Sequence, residues 1–237
     1  MTIEILFPEV ANLYGDLMNI DYLCRACPGT EVVRTSLRAV PAFAERKVDL
    51  IYMGSVTEEG QRLAVEALTP YRDRLADLIR AGQLFLITGN ALEIFGQRIS
   101  ADDGTELRCL GLFPTEARHR MMRRYNALYV GRFENNMPIV GFKSQFGHSY
   151  GEVEPLFQTS RGAGLNPGIS GEGIRKNHFF ATYLTGPLLI LNPPFTKHLL
   201  RLMGEEEPTL AFEDAAMALY QDRVREFSDP ATGVEYH

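Results

Sequence analysis

The stretch LFLITGNALEIFG at residues 84–96 joins an apolar run, a glycine and a segment with apolar residues at helical spacing. The apolar run is typical of a buried strand, and the glycine marks a sharp turn into the segment that follows. Many α/β enzymes present a catalytic nucleophile at the apex of such a strand–turn–helix elbow. Here the apex falls at Gly89, which has no side chain, so the sequence predicts the elbow without its nucleophile.

Strands and helices alternate around this elbow. The apolar patterns predict strands at residues 3–8, 30–37 and 47–54 and helices at residues 19–27 and 58–81, the latter kinked at Pro70. Such alternation indicates an α/β fold with a largely parallel central sheet and helices on both faces. Ligands in these folds sit at the carboxyl ends of the strands. We therefore expect the strand ends at Gly54 and Gly89 to border one crevice.

The second half of the chain has a different pattern. Shorter strands are predicted at residues 124–133, 138–146 and 178–184, separated by turns, which favours an antiparallel extension of the sheet. The glycine-rich segment 151–177 predicts a long structured loop, and 210–227 has the pattern of a closing amphipathic helix. No linker divides the chain, so we expect one domain over residues 1–237.

Composition excludes several classes of function. A net charge of −6 and a pI near 5.5 argue against nucleic-acid binding, which requires a basic face. No apolar run approaches the roughly 18 residues of a membrane span, so no membrane insertion is expected. The odd number of cysteines fits a reduced compartment, and the sequence predicts a cytoplasmic protein. The CxxC of Cys24 and Cys27 is better explained by helix packing than by redox chemistry.

One basic cluster stands out in this acidic chain. It comprises Arg118, His119, Arg120, Arg123 and Arg124. A solvated face is the favoured interpretation, and contact with an anionic partner is the alternative.

Several motifs recur along the chain in a specific order. They are NLYGD (12–16), DLIYMGSVTEEGQ (49–61), TGNALEIFG (88–96), DGTELRCLGLF (103–113), IVGFKSQFGHSY (139–150) and EGIRKNHFFATYLTGPLLILNP (172–193). With these motifs the chain resembles the class I glutamine amidotransferases of the cobyric acid synthase type. Within that family it is most similar to the glutaminase subunits of lipid II isoglutaminyl synthases. The resemblance runs nearly end to end and implies a flavodoxin-like fold.

The resemblance also implies that the catalytic residues have been replaced. Aligning the elbow on Gly96 places Gly89 where the family carries its nucleophilic cysteine, and Thr185 falls where the family carries its histidine base. The family reaction needs a thiolate to attack the glutamine amide and an imidazole to activate that thiolate. Asp16 matches a carboxylate that orients the histidine, although a turn or helix-cap role is the favoured interpretation here. We therefore expect no catalytic residues, and Gly89, Thr185 and Asp16 are vestigial positions.

Five further residues are predicted to form the substrate pocket. Gly54 and Ser55 lie in the loop that resembles the family's oxyanion-hole strand end, where backbone amides act. Asn90 follows the apex and is alternatively the cap of the next helix. Glu93 replaces a family glutamine and faces either the crevice or solvent. His148 stands where close relatives carry an arginine that contacts glutamine, and packing is its alternative role.

Three functions remain open from sequence. The favoured one is an amidotransferase-like subunit without glutaminase activity that acts as partner or regulator of a Mur-ligase-like synthetase in cell-wall precursor amidation. The alternatives are a hydrolase or transferase with a rebuilt active site, and a sensor module for a small amide or amino-acid ligand. No glycine-rich phosphate loop or carboxylate metal cluster is recognisable, so neither cofactor nor metal is expected.

Overall fold

The computed structural model describes residues 1–233 and the backbone of residues 235–236. The helices are α1 (Met18–Ala26), α2 (Ala42–Glu45), α3 (Glu58–Leu68), α4 (Arg72–Arg80), α5 (Leu188–Leu191), α6 (Pro193–Leu202) and α7 (Glu213–Ser228). Short 3₁₀ turns occupy Leu13–Gly15, Thr69–Tyr71, Gly89–Phe95 and Glu134–Asn136. None of the helices formed by these residues has the length and apolar character that a membrane span requires.

The strands fall into three sheets. In chain order they are β1 (Thr2–Leu6), β2 (Glu31–Thr35), β3 (Leu50–Met53), β4 (Leu84–Thr88), β5 (Arg98–Ala101), β6 (Glu106–Arg108), β7 (Glu116–His119), β8 (Tyr125–Phe133), β9 (Met137–Gln145), β10 (Gly147–Tyr150), β11 (Phe157–Arg161), β12 (Gly171–Glu172), β13 (Ile174–Lys176), β14 (Phe179–Thr182) and β15 (Glu235–Tyr236). The central sheet has six strands in the order β13-β14-β4-β3-β1-β2. All of its pairs are parallel except β13 with β14.

Both faces of the central sheet are buried. Successive side chains of a strand point to opposite faces, and in β4 Phe85 and Ile87 pack with α3 and α4 while Leu84 and Leu86 pack with α1 and α6. A strand covered on both faces must be apolar at every position, which explains the unbroken run in β4. The predicted α/β class, with its largely parallel sheet and helices on both faces, is confirmed.

The predicted antiparallel extension is only partly correct. Among the described residues, β13 is the one antiparallel strand that extends the central sheet. The long strands β8 and β9 instead pair with each other in a separate five-stranded antiparallel sheet with β11, β12 and β15. A smaller four-stranded sheet has the order β10-β7-β5-β6. The segment 151–177, predicted as a loop, contributes the short strands β11, β12 and β13.

The long helix predicted at residues 58–81 is interrupted at Pro70. It forms α3 and α4, joined by the 3₁₀ turn Thr69–Tyr71. Proline lacks the N–H that an internal helical turn needs, and its ring crowds the preceding turn. The interruption lets both helices pack their apolar faces on the same side of the sheet.

Candidate functional site

Three neighbouring strands of the central sheet, β3, β4 and β14, end at the same edge, as parallel strands must. The residues after these ends line a pocket of about 180 Å³, here named the elbow pocket. Its walls include Ser55, Gly89, Asn90 and Thr185. The fold thus brings Gly89 and Thr185 together although they are far apart in sequence.

The apex of the elbow is closed to any larger residue. Gly89 has a φ of +62°, a left-handed conformation that glycine adopts without strain. A Cβ on residue 89 would stand 1.9 Å from Ser55 Oγ and 2.7 Å from Ser55 Cβ, well inside van der Waals contact. The Ser55 side chain therefore occupies the volume from which a nucleophile at residue 89 would project.

The Asp16 side chain links the ends of β3 and β4 through hydrogen bonds. Its Oδ2 accepts hydrogen bonds from Ser55 N at 2.5 Å and from Thr88 Oγ1 at 3.1 Å. The predicted cap role for this side chain is wrong, because the carboxylate reaches across to other loops and caps no helix of the described chain. Burial raises the pKa of Asp16, although the hydrogen bonds from Ser55 and Thr88 oppose the rise.

Asn90 fastens the elbow to the loop after β3. Its Oδ1 accepts a hydrogen bond from Val56 N at 3.0 Å, and its Nδ2 donates to Val56 O at 2.8 Å. The alternative role of Asn90 as a helix cap is therefore wrong. Since the amides of Ser55 and Val56 both donate to side chains, neither is free to stabilise an oxyanion in this arrangement.

Thr185 supplies no base. Its hydroxyl donates to Phe142 O at 3.2 Å, and its backbone N–H donates to the same oxygen at 3.0 Å. The next residue, Gly186, lies directly against the Asp16 carboxylate, since a Cβ on it would stand 2.0 Å from Asp16 Oδ1. That oxygen forms no hydrogen bond of normal geometry with the described residues.

A buried carboxylate–imidazole pair forms part of the pocket wall. Glu93 is 1% exposed and its Oε2 lies 2.6 Å from His119 Nε2. The same carboxylate accepts hydrogen bonds from Gln61 Nε2 at 2.7 Å and from Tyr183 Oη at 2.7 Å. His119 and Tyr183 line the elbow pocket, whereas Glu93 lies behind them. Glu93 therefore faces neither the crevice nor solvent, and both sequence interpretations of it are wrong.

The role of His119 was missed because it was grouped with the basic cluster. In β7, Ala117 and His119 are buried while Arg118 is exposed, which is the alternation of a half-buried strand. That pattern was the available signal. Burial alone would lower the pKa of His119, but the hydrogen bond and charge of Glu93, with a smaller effect of Glu58, raise it overall.

Two other predicted pocket residues also lie elsewhere. Gly54 packs behind the pocket, where a Cβ would stand 2.8 Å from Ala11 O and from Asp16 Cβ. His148 lines a neighbouring cavity, and its Nδ1 lies 3.2 Å from Gln145 Nε2. His148 is not among the residues that line the elbow pocket.

Two buried polar atoms at the elbow pocket have no hydrogen-bond partner among the described residues. Ser55 Oγ and Gln145 Oε1 are buried, belong to residues that line the pocket, and have no hydrogen-bond partner among the described residues. Buried polar atoms normally find a partner, so these two atoms are exceptions to that rule. The three cysteine thiols are poorly ionised: burial raises the pKa of Cys24 and Cys27, and raises that of Cys109 to about 12.

The contact between Ser55 and residue 89 predicts a measurable coupling. Gly89→Ala combines a left-handed backbone with a steric clash, so we expect it to lower the free energy of unfolding by about 2–5 kcal/mol. In a Ser55→Gly background the clash is gone, and the loss falls to about 1–3 kcal/mol. Urea unfolding of the two single variants, the double variant and the parent measures this coupling.

Gly104→Ala is the matched control for backbone strain. Gly104 has a φ of +84° and open space around its Cβ position. Its substitution should cost about 1–3 kcal/mol, and Ser55→Gly should leave that cost unchanged. Additive losses for Gly89→Ala and Ser55→Gly would contradict the proposed steric contact.

The Glu93–His119 pair predicts a pH-dependent contribution to stability. Because the folded-state pKa of His119 is raised, the stabilisation is fully present below the unfolded value of about 6.5 and is lost as pH rises through the folded value. The stability advantage of the parent over His119→Asn should therefore shrink with rising pH. His198 has a pKa lowered by burial, so comparison with His198→Asn should give the opposite slope below neutrality. An advantage of His119 that grows with pH would contradict the pairing.

Comparison with known proteins agrees with this geometry. Residues 2–192 match the sequence profile of the CobB/CobQ-like glutamine amidotransferase domain. The lipid II isoglutaminyl synthase (glutamine-hydrolyzing) subunit GatD of Staphylococcus aureus (strain N315) is 28% identical over 211 residues, covering 87% of this chain and 86% of that protein.

Solved structures agree on the fold. A structure of PurLQS from Thermotoga maritima has a TM-score of 0.54 at 13% identity, covering 93% of this chain and 97% of that chain. A glutamine amidotransferase crystal structure has a TM-score of 0.55 at 13% identity, covering 85% of this chain and 99% of that chain. The resemblance inferred from the motifs is confirmed: the chain belongs to the family of CobB/CobQ-like glutamine amidotransferase domains.

Proposed function

We propose that the chain is an amidotransferase-like subunit without glutaminase activity. It acts as partner or regulator of a Mur-ligase-like synthetase in the amidation of cell-wall precursors. On this proposal residues 1–237 form one amidotransferase-like domain that works in the cytoplasm, where the precursors are made.

The geometry of the elbow pocket supports the proposal that the chain lacks glutaminase activity. Attack on a glutamine amide needs a nucleophile at residue 89 and a base at residue 185. Residue 89 is a glycine, and the volume beside it is filled by Ser55. Thr185 has a hydroxyl engaged with a backbone carbonyl. Reinstating the catalytic pair by Gly89→Cys and Thr185→His would still meet this clash, so Ser55 would also have to become glycine.

Asp16 supports descent from an active amidotransferase. Its buried Oδ1 has no partner of normal geometry and lies beside Gly186, the neighbour of the position where the family carries histidine. The Gly186 backbone N–H lies close enough to lower the pKa of Asp16, so this neighbour offsets part of the cost of burying the carboxylate. This arrangement is expected where a donor at residue 185 has been lost while the carboxylate has stayed for its bonds to Ser55 and Thr88.

The partner is inferred from the relative with 28% identity. That protein is described as a subunit of a lipid II isoglutaminyl synthase, and the match covers most of both chains. A chain of nearly equal length that keeps the fold but not the nucleophile is suited to keep the association. This inference places the chain beside a synthetase that acts on a cell-wall precursor.

A rebuilt active site is the second candidate. His119, which pairs with Glu93 behind it, lines the same pocket as Ser55, whose hydroxyl has no hydrogen-bond partner among the described residues. A hydroxyl, an imidazole and a carboxylate are the groups of a nucleophile–base–carboxylate triad. The unpartnered Ser55 Oγ argues against an assembled triad, because no base is hydrogen-bonded to it. A sensor for a small amide or amino acid is the third candidate, since polar residues including Ser55, Asn90 and Gln145 line a pocket of about 180 Å³.

Co-expression with the Mur-ligase-like synthetase of the same organism tests the partner role. We expect the two chains to co-purify as one species in size-exclusion chromatography. We also expect the ammonium-dependent amidation by the synthetase to depend on the chain, because a scaffolding subunit acts without supplying ammonia. His119→Asn is the internal control: it removes the imidazole of the rebuilt-site candidate and should leave this activity unchanged.

Two outcomes would contradict the proposal. Separate elution of the folded chains, with synthetase activity indifferent to the chain, would remove the partner role. Amidation supported by glutamine and abolished by His119→Asn would establish the rebuilt site instead.

A further inference from the structure

The basic cluster forms one wall of a large cavity next to the elbow pocket. The cavity has a volume of about 830 Å³ and is here named the arginine groove. Arg118 lies on β7, and Arg120, Arg123 and Arg124 lie in the turn between β7 and β8. Four guanidinium groups thus surround one concavity in a chain whose net charge is −6.

These four charges are not neutralised within the described residues 1–233. None of the four side chains forms an ion pair or a side-chain hydrogen bond there, and no carboxylate lines the groove. Arginine residues elsewhere on the surface behave differently: Arg62 bridges Glu59 and Glu66, and Arg98 bridges Glu106 and Glu116. Like charges held together without counter-charges raise the local positive potential and favour an anion.

Aromatic rings support two of the guanidinium groups. Arg118 lies over the ring of Tyr150 at 4.7 Å, and Arg124 lies over the ring of Phe146 at 4.4 Å. Stacking on a ring restricts the orientation of a guanidinium group and leaves its N–H edges available. The groove is therefore partly ordered before any ligand binds.

Two further rings, tilted by 59° to each other, line the groove. Tyr125 and His148 pack together with ring centroids 5.8 Å apart, and both line the groove. Burial lowers the pKa of His148, and the charges of Lys143 and Arg120 lower it further, while a backbone hydrogen bond with Leu165 and the charge of Glu93 oppose the shift. A planar ring of a ligand has aromatic faces to stack on beside the charged edges.

We propose that the arginine groove binds a small molecule that carries a diphosphate. Guanidinium forks match the oxygens of phosphate groups with paired hydrogen bonds, and several arginine residues fit a ligand with more than one phosphate. The volume lies in the usual range of small-molecule sites, about 300–1,000 Å³. From the sequence, contact of this basic cluster with an anionic partner was the alternative to a solvated face; the structure shows that the arginine residues of one strand and the following turn line a single cavity.

Concavity favours a small ligand over an acidic protein surface. An acidic protein segment needs an extended, open, positively charged surface. These arginine residues instead line a single cavity. Arg124 and Phe146 line both the groove and the elbow pocket, so a bound diphosphate would share a wall with the replaced catalytic positions. The inference does not depend on the identity of the partner subunit.

Titration calorimetry of the full chain with inorganic pyrophosphate and with ADP tests the proposal. We expect pyrophosphate to bind, and Arg120→Gln and Arg123→Gln each to weaken it at least about tenfold, because each removes a charge-assisted hydrogen bond. Arg98→Gln is the matched control, since it removes an exposed arginine already paired with carboxylates, and should have no effect. Thermal unfolding checks that every variant is folded.

The two ligands distinguish the sources of the diphosphate. Tighter binding of ADP than of pyrophosphate, lost in Tyr125→Leu, assigns a nucleotide whose base stacks in the groove. Equal binding assigns a diphosphate without a stacked ring, and both results support the proposal. No heat with either ligand at about 1 mM, an equal loss in Arg98→Gln, or tighter binding of a polyglutamate peptide than of pyrophosphate would overturn it.

Discussion

The site is governed by the close approach of two strand ends. After β3 and β4 the chain turns so that the Ser55 side chain fills the volume next to Gly89, with 1.9 Å between Ser55 Oγ and the position of a Cβ on residue 89. Only glycine fits there, both sterically and because its φ is +62°. A larger side chain at residue 89 therefore fits only if Ser55 moves or is replaced.

Hydrogen bonds between side chains and loops connect the strand ends at this edge of the sheet. Asp16 and Asn90 hold the amides of Ser55 and Val56, which in a catalytic loop would point at a developing oxyanion. Glu93 holds three donors behind the wall of the pocket. The polar groups at this edge are therefore engaged with one another within the folded chain.

The fold was predictable from the sequence because its main strands and helices have clear hydrophobic patterns. The apolar run before Gly89 and the alternation of strands and helices identified the parallel sheet and the edge where the site lies. Side-chain partners across that edge were not predictable, because they depend on which loops meet after folding. Glu93 and His119 are 26 positions apart and meet only when β7 packs beside the elbow. His148 was misplaced for the same reason, since its strand belongs to a different sheet.

Release of ammonia from glutamine by the purified chain tests directly whether the chain lacks glutaminase activity. We expect the parent, Ser55→Ala and His119→Asn all to release ammonia no faster than glutamine does in buffer without protein. The reason is that losing a nucleophile and its base costs several orders of magnitude in rate. Ammonia release well above that of buffer, abolished by Ser55→Ala or His119→Asn in a folded variant, would contradict the account. It would show that the pocket has acquired a new catalytic group.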